Sequence, residues 1–159
     1  MWRAMLIEIL KQPDGSGLLR CTRDDDSVTW QKQARHAGYF ALHDLTHFAV
    51  ESTLGCESGF FGLVAQGWDI AETTGKGARG PLPPEAIEVE KIVGLLDTER
   101  ASGTLMYVQE FNQLAPRTLT QAELDAIRKL RAELFEKWSA VKAGEALKLT
   151  FRASRPVSS

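Results

Sequence analysis

Apolar residues run nearly unbroken near the start of the chain, recur at steps of three and four through its middle and alternate with polar ones near its end. Met5 to Leu10 is apolar apart from Glu8, and the stretch Pro13-Asp14-Gly15-Ser16-Gly17 after it carries glycines that permit the positive backbone angles of a reversal. The pattern predicts a hairpin. Its second strand runs from Leu18 to Arg23, turns at Asp24-Asp25-Asp26-Ser27, and leads into a third strand from Val28 to Gln33 that opens on β-forming residues. Near the other end, Leu147, Leu149 and Phe151 alternate with Lys148, Thr150 and Arg152, as a strand does with one face on a core and one in water. This strand can join the N-terminal sheet.

The middle of the chain reads as helices. His36 to Leu54 contains no proline, and Tyr39, Phe40, Leu42, Leu45, Phe48, Ala49, Val50 and Leu54 point in nearly every direction around a helical turn. A helix apolar on all sides is expected to be buried. Gly55 is placed to cap it, and a second helical stretch covers Gly59 to Trp68. Asp69 to Pro84 is rich in glycine and proline without an apolar period, which predicts a long surface loop. Pro83-Pro84-Glu85 then opens a helix to about Ala101, with Gly103 as its stop, and Thr104 to Leu114 reads as a further helix ending before Pro116. Thr120-Gln121-Ala122-Glu123 is a capping box, in which hydroxyl and carboxylate satisfy free backbone donors. In the helix after it, Leu124, Ile127, Leu130, Leu134, Trp138 and Val141 recur at steps of three or four, up to Gly144.

The fold class expected is α+β: a small antiparallel sheet formed by N-terminal strands and a C-terminal strand, packed against four to five helices. A chain of 159 residues with 43% hydrophobic content suffices for one core, and strands at both termini argue for one unit. The expectation is a single domain over residues 1–153 with a flexible tail over 154–159.

Composition narrows the function classes. Nineteen Lys and Arg against 21 Asp and Glu give a formal charge of -2, with no basic block to neutralise a row of phosphates, so nucleic acid is not the expected partner. The apolar run before Glu8 is too short for a signal-peptide core or a membrane span, which predicts a cytoplasmic protein without membrane insertion. Cys21 and Cys56 stand far apart without a Cys-x-x-Cys pair, so neither a disulfide framework nor a thiolate zinc site is expected.

The chemistry concentrates on the first helix. All three histidines, His36, His43 and His47, fall within twelve consecutive residues. At about 100° per residue they share one face with Glu51. His43 and His47, one turn apart, can converge on a single ion, and Glu51 one turn further is either a third ligand or a partner that orients a ligand. His36 lies two turns before His43, too far for the same ion, and Asp44 points about 100° away from His43; both are expected in supporting roles. Burying such polar groups is costly unless they are paired or bind an ion. Two histidines are too few ligands, so a further carboxylate must come from elsewhere. Glu57 is nearest in sequence, placed to fold back across the site or to sit at a helix start, while Glu88, Glu90 and Glu110 lie on later helices.

The run His43-Asp44-Leu45-Thr46-His47 resembles the His-Asp-x-x-His motif of the Coq4 family of ubiquinone-biosynthesis proteins. In that family the motif and a downstream Glu imply a metal site in a nearly all-helical fold. Here the place of that Glu is Gly59 and the nearest Glu is Glu57, so the resemblance implies metal binding at His43, Asp44 and His47 and not the quinone chemistry. The His-Glu-x-x-His of zinc proteases is not present, because Asp44 stands where the general-base Glu would be. The metal-binding phosphohydrolases with an HD pair need further histidines, and none follows His47.

Two readings follow. The first is a cytoplasmic divalent-metal-binding protein with His43, His47, Glu51 and Glu57 as ligands, supported by Asp44 and His36, and extending to a metalloenzyme acting on a small molecule. Zinc is the default ion, and iron, nickel or manganese suits the same nitrogen and oxygen donors. The second is a metal-free module, binding a small ligand or another protein, whose histidines are hydrogen-bonded core groups. Either accommodates a homodimer. The loop 69–84, with Lys76 and Arg79, is a candidate lid, and Tyr39, Phe40, Phe48, Phe60, Phe61 and Trp68 could line an apolar pocket.

Overall fold

Both ends of the chain meet in one sheet. The computed structural model describes residues 2–14, 16–33 and 37–154, and within them the fold is α+β. Strands β1 (Trp2–Lys11), β2 (Gly17–Thr22), β3 (Val28–Gln33) and β4 (Ala146–Ser154) pair antiparallel in the order β3-β2-β1-β4. β1 exceeds the expected Met5 to Leu10 because β4 pairs along nearly all of it, from Trp2 opposite Ser154 to Leu10 opposite Ala146. Ser154, assigned to the tail by its sequence, therefore closes the sheet, while 155–159 lie outside the described residues. Met5, Ile7, Ile9, Leu19, Cys21 and Phe151 turn to the buried side, and Leu6, Arg20, Val28, Trp30 and Lys148 to the exposed one, as the two-residue period requires.

The helices are α1 (Ala37–Leu54), α2 (Phe60–Ala65), α3 (Pro84–Ser102), α4 (Val108–Leu114) and α5 (Gln121–Ala140). α1 forms a middle layer, with β2 and β4 beneath it and α3 and α5 packed on its other sides. This explains its all-round apolar character: every residue from Asp44 to Glu51 is buried. No helix among the described residues is long and apolar enough to cross a membrane.

Several boundaries differ from the expected ones for identifiable reasons. α2 ends at Ala65 rather than Trp68, because Gly67 adopts φ +114° and Trp68 N–H turns back to the Leu63 carbonyl at 3.0 Å. The stretch 69–84 is not featureless: Ile70–Thr74 forms a 3-10 turn, with Ile70 buried and its N–H donating to Thr29 Oγ1 at 3.0 Å. α4 begins only at Val108, because the Met106 backbone is held elsewhere: its N–H donates to Glu99 Oε2 at 2.9 Å and its carbonyl accepts from Arg128 Nη2 at 2.8 Å. The capping box at Thr120 forms as read, with Glu123 N–H donating to Thr120 Oγ1 at 3.0 Å and Thr120 N–H to Glu123 Oε1 at 2.9 Å. α5 stops at Ala140, before Gly144, whose φ of +88° belongs to the turn into β4.

Candidate metal centre

One turn of α1 separates His43 from His47 and stacks their rings edge to face, with centroids 4.9 Å apart. α3 runs alongside and supplies carboxylates at two places, Glu90 and Asp97, seven residues apart and so on one face of that helix. His43 Nδ1 lies 2.7 Å from Asp97 Oδ2, and His47 Nδ1 lies 3.1 Å from Glu51 Oε2. Each ring is thereby fixed through one nitrogen by a carboxylate, leaving its Nε2 for something else. Both Nε2 atoms are directed at the same group: Glu90 Oε1 is 2.9 Å from His47 Nε2, and Glu90 Oε2 is 4.0 Å from His43 Nε2. One donor atom from each of His43, His47 and Glu90 lies within 4.8 Å of the others. Ligands around an ion at about 2.0–2.1 Å sit roughly 3–3.5 Å apart. The two distances from Glu90 to the Nε2 atoms, 2.9 and 4.0 Å, straddle that spacing.

Glu51 has its side chain fully buried, and a lone buried carboxylate would be expensive. It is satisfied instead by the start of α2, accepting from Gly62 N–H at 3.0 Å and Phe61 N–H at 3.3 Å besides facing His47. The approach needs a glycine. A Cβ at Gly59 would stand 2.5 Å from the Glu51 carboxyl carbon. Gly59, the position where the sequence resemblance looks for a Glu, is thus the gap that the Glu51 carboxylate fills.

Charge follows from this geometry. Burial works against a proton on His47, but hydrogen bonds to Glu51 and Glu90 outweigh it and raise the imidazole from 6.5 to about 10. Glu90 is lowered: burial pushes it up, and the bond to His47 pulls it further down. Without a metal, the His47 ring thus favours its protonated form, with Glu51 at Nδ1 and Glu90 at Nε2. Burial raises the Asp44 carboxyl to about 6, with the hydrogen bond from Gln33 Nε2, at 2.7 Å to Oδ2, opposing the shift.

A cleft of about 320 Å³ opens beside these groups. His43, Asp44, His47 and Glu90 line one side, Phe40, Phe60 and Ile70 supply apolar wall, and Gln31, Gln33, Thr73 and Thr74 supply uncharged hydrogen-bonding groups. The cleft is the size of an ordinary small-molecule site. Thr73 and Thr74 come from the segment expected to be a lid. Of its two cations, Arg79 faces elsewhere, bonded to Glu72 at 3.1 Å and to the Gly67 carbonyl at 3.1 Å and lying over the Trp68 ring.

The residues singled out by sequence are placed as follows. His43 and His47 converge, and the carboxylate that joins them is Glu90, not Glu57. Glu57 is exposed in the turn after α1, where its carbonyl accepts from Gln66 Nε2 at 2.6 Å, and it is not among the converging donors. Glu51 faces His47 from the side opposite Glu90. Asp44 bonds to β3 through Gln33 and borders the cleft. His36 and the Tyr39 side chain lie outside the described residues. Sequence reasoning missed Asp97 and gave Glu90 no preference over other carboxylates on later helices. The signal was present in the seven-residue spacing of Glu90 and Asp97, which matches two turns of a helix packed against the histidine helix.

Comparison of the chain with protein-family models, with curated proteins and with solved structures found no match.

Proposed function

We propose that the chain binds a divalent metal ion through His43 Nε2, His47 Nε2 and the Glu90 carboxylate, and uses it on a small molecule held in the adjoining cleft. The observation that carries this reading is the orientation of the two imidazoles. Each gives its Nδ1 to a carboxylate, and each turns its Nε2 toward one shared carboxylate. Histidines that ligate metals are typically held in this way through the other ring nitrogen, which fixes the tautomer and strengthens the donor. Three protein ligands, all lining the cleft, would leave a bound ion with further coordination positions, and such an ion could polarise a carbonyl or lower the pKa of water. Two imidazoles and a carboxylate suit zinc, iron, nickel or manganese, with zinc as the default. Asp44, on the cleft wall, is a nearby carboxylate outside the proposed ligand set.

A second reading rests on a different observation: both ring nitrogens of His47 already have carboxylate partners, at 3.1 Å and 2.9 Å. A metal-free binding module would use that imidazolium as a structural group in the core.

Metal content separates the two. Mass spectrometry on protein purified without an affinity tag should find about one ion per chain, lost in the His43→Ala, His47→Ala double variant while the far-ultraviolet spectrum stays folded. Absence of metal after reconstitution with zinc, iron, nickel and manganese would leave the second reading standing.

A further inference from the structure

The lining of the cleft restricts what can enter it, and the argument rests on the metal reading above. Among the described residues, no lysine or arginine lines the cleft. Asp44 and Glu90 line it, and Glu51 and Asp97 stand directly behind the two histidines. Four carboxylates, one of them paired with Arg100 at 3.6 Å, would leave a doubly charged ion in net negative surroundings, so the pull that an exposed metal exerts on anions would be cancelled close to the ion. The uncharged groups point the same way. Gln33 is 7% exposed, gives its Nε2 to Asp44 at 2.7 Å, and has Oε1 buried without a hydrogen-bond partner among the described residues. A buried acceptor with nothing to accept is costly, and a ligand N–H or O–H is the group that would satisfy it.

We propose that the cleft selects uncharged, hydrogen-bond-donating small molecules, such as amides, amines in their neutral form or alcohols, and excludes phosphates and carboxylates, with Asp44 setting this selectivity. Asp44 does so in two ways. It keeps a second negative charge on the cleft wall, and its bond to Gln33 Nε2 fixes the amide so that Oε1 is the atom left to accept. Exclusion by an unfavourable charge is a common route to specificity, because it rejects a whole class of ligands at once.

Two small metal ligands, azide as the anion and imidazole as the uncharged donor, test this directly. Cobalt(II) in the wild-type protein gives a visible spectrum that each ligand shifts on binding, and titration at pH 8 and low salt yields both affinities. Asp44→Asn keeps the shape and can still bond Gln33; it should tighten azide about fivefold or more while changing imidazole less than twofold. Thr74→Lys, at an exposed position on the cleft rim, places a cation there without touching the buried groups and should also tighten azide selectively. If neither variant alters the ratio of the two affinities, or if both ligands move together, the selectivity does not come from this lining and the inference fails. A protein that takes up no cobalt overturns the metal reading itself, an outcome recognisable before any ligand is added.

Discussion

His47 Nε2 lies 2.9 Å from Glu90 Oε1, joining the more buried of the two described histidines to a carboxylate more than forty residues away on another helix. The two ends of this contact differ in setting: the His47 side chain is 2% exposed and that of Glu90 49%. Removing Glu90 therefore costs the core little packing but takes away the carboxylate proposed to complete the ion's ligands. Glu90→Gln should remain folded and lose at least about tenfold in zinc affinity, read by competition with a chromophoric chelator. Unchanged affinity would remove Glu90 from the site.

In the proposed site Asp97 would act through His43 rather than on an ion, since it lies 2.7 Å from Nδ1. Losing such an orienting carboxylate typically costs about 10–100-fold in metal affinity. Asp97→Asn should fall in that range with all three proposed ligands intact. An Asp97→Asn protein that binds zinc as tightly as wild type would show that the ring is held by packing alone.

The contrast between Glu90 and Glu57 shows how far the site was legible in the sequence. His43 and His47 could be paired from their spacing because an α-helix converts four residues into one turn, a local rule. Alternation at Leu147, Leu149 and Phe151 placed β4 correctly for a similar local reason. Which carboxylate closes the site depends on which helix packs on α1, a tertiary fact, and proximity in sequence favoured Glu57, which the turn after α1 leaves exposed. The late start of α4 was hidden for the same kind of reason. The Met106 backbone is held by Glu99 and Arg128, which come from two other helices.

The proton on His47 links stability to pH. Its folded value, about 10, lies above the unfolded 6.5, so the stabilisation is fully present below about pH 6.5 and is lost as pH rises toward 10. Metal-free protein in chelator should show a falling melting temperature between pH 7 and 10, and His47→Gln should flatten that fall. A bound ion replaces the proton on Nε2, so zinc-loaded protein should not share the decline. Parallel curves for the loaded and metal-free forms would mean that the ion does not bind at His47.

Gly59 offers a test of Glu51 without substituting any titratable group. A Cβ there would meet the Glu51 carboxyl carbon and Oε1, both at 2.5 Å, and the carboxylate could yield only by giving up Gly62 N–H or His47. Gly59→Ala should destabilise the protein by about 1–3 kcal/mol in urea denaturation, as expected of overpacking in a closed core. Zinc affinity should fall with it, because His47 loses the partner that orients its ring. Gly94→Ala is the matched control: it lies in α3 with nothing within 4 Å of the added carbon, and should stabilise by about 0.5–1 kcal/mol with zinc affinity unchanged. A Gly59→Ala protein that is destabilised yet binds zinc normally would separate Glu51 from the metal site and make it a purely structural anchor for α2.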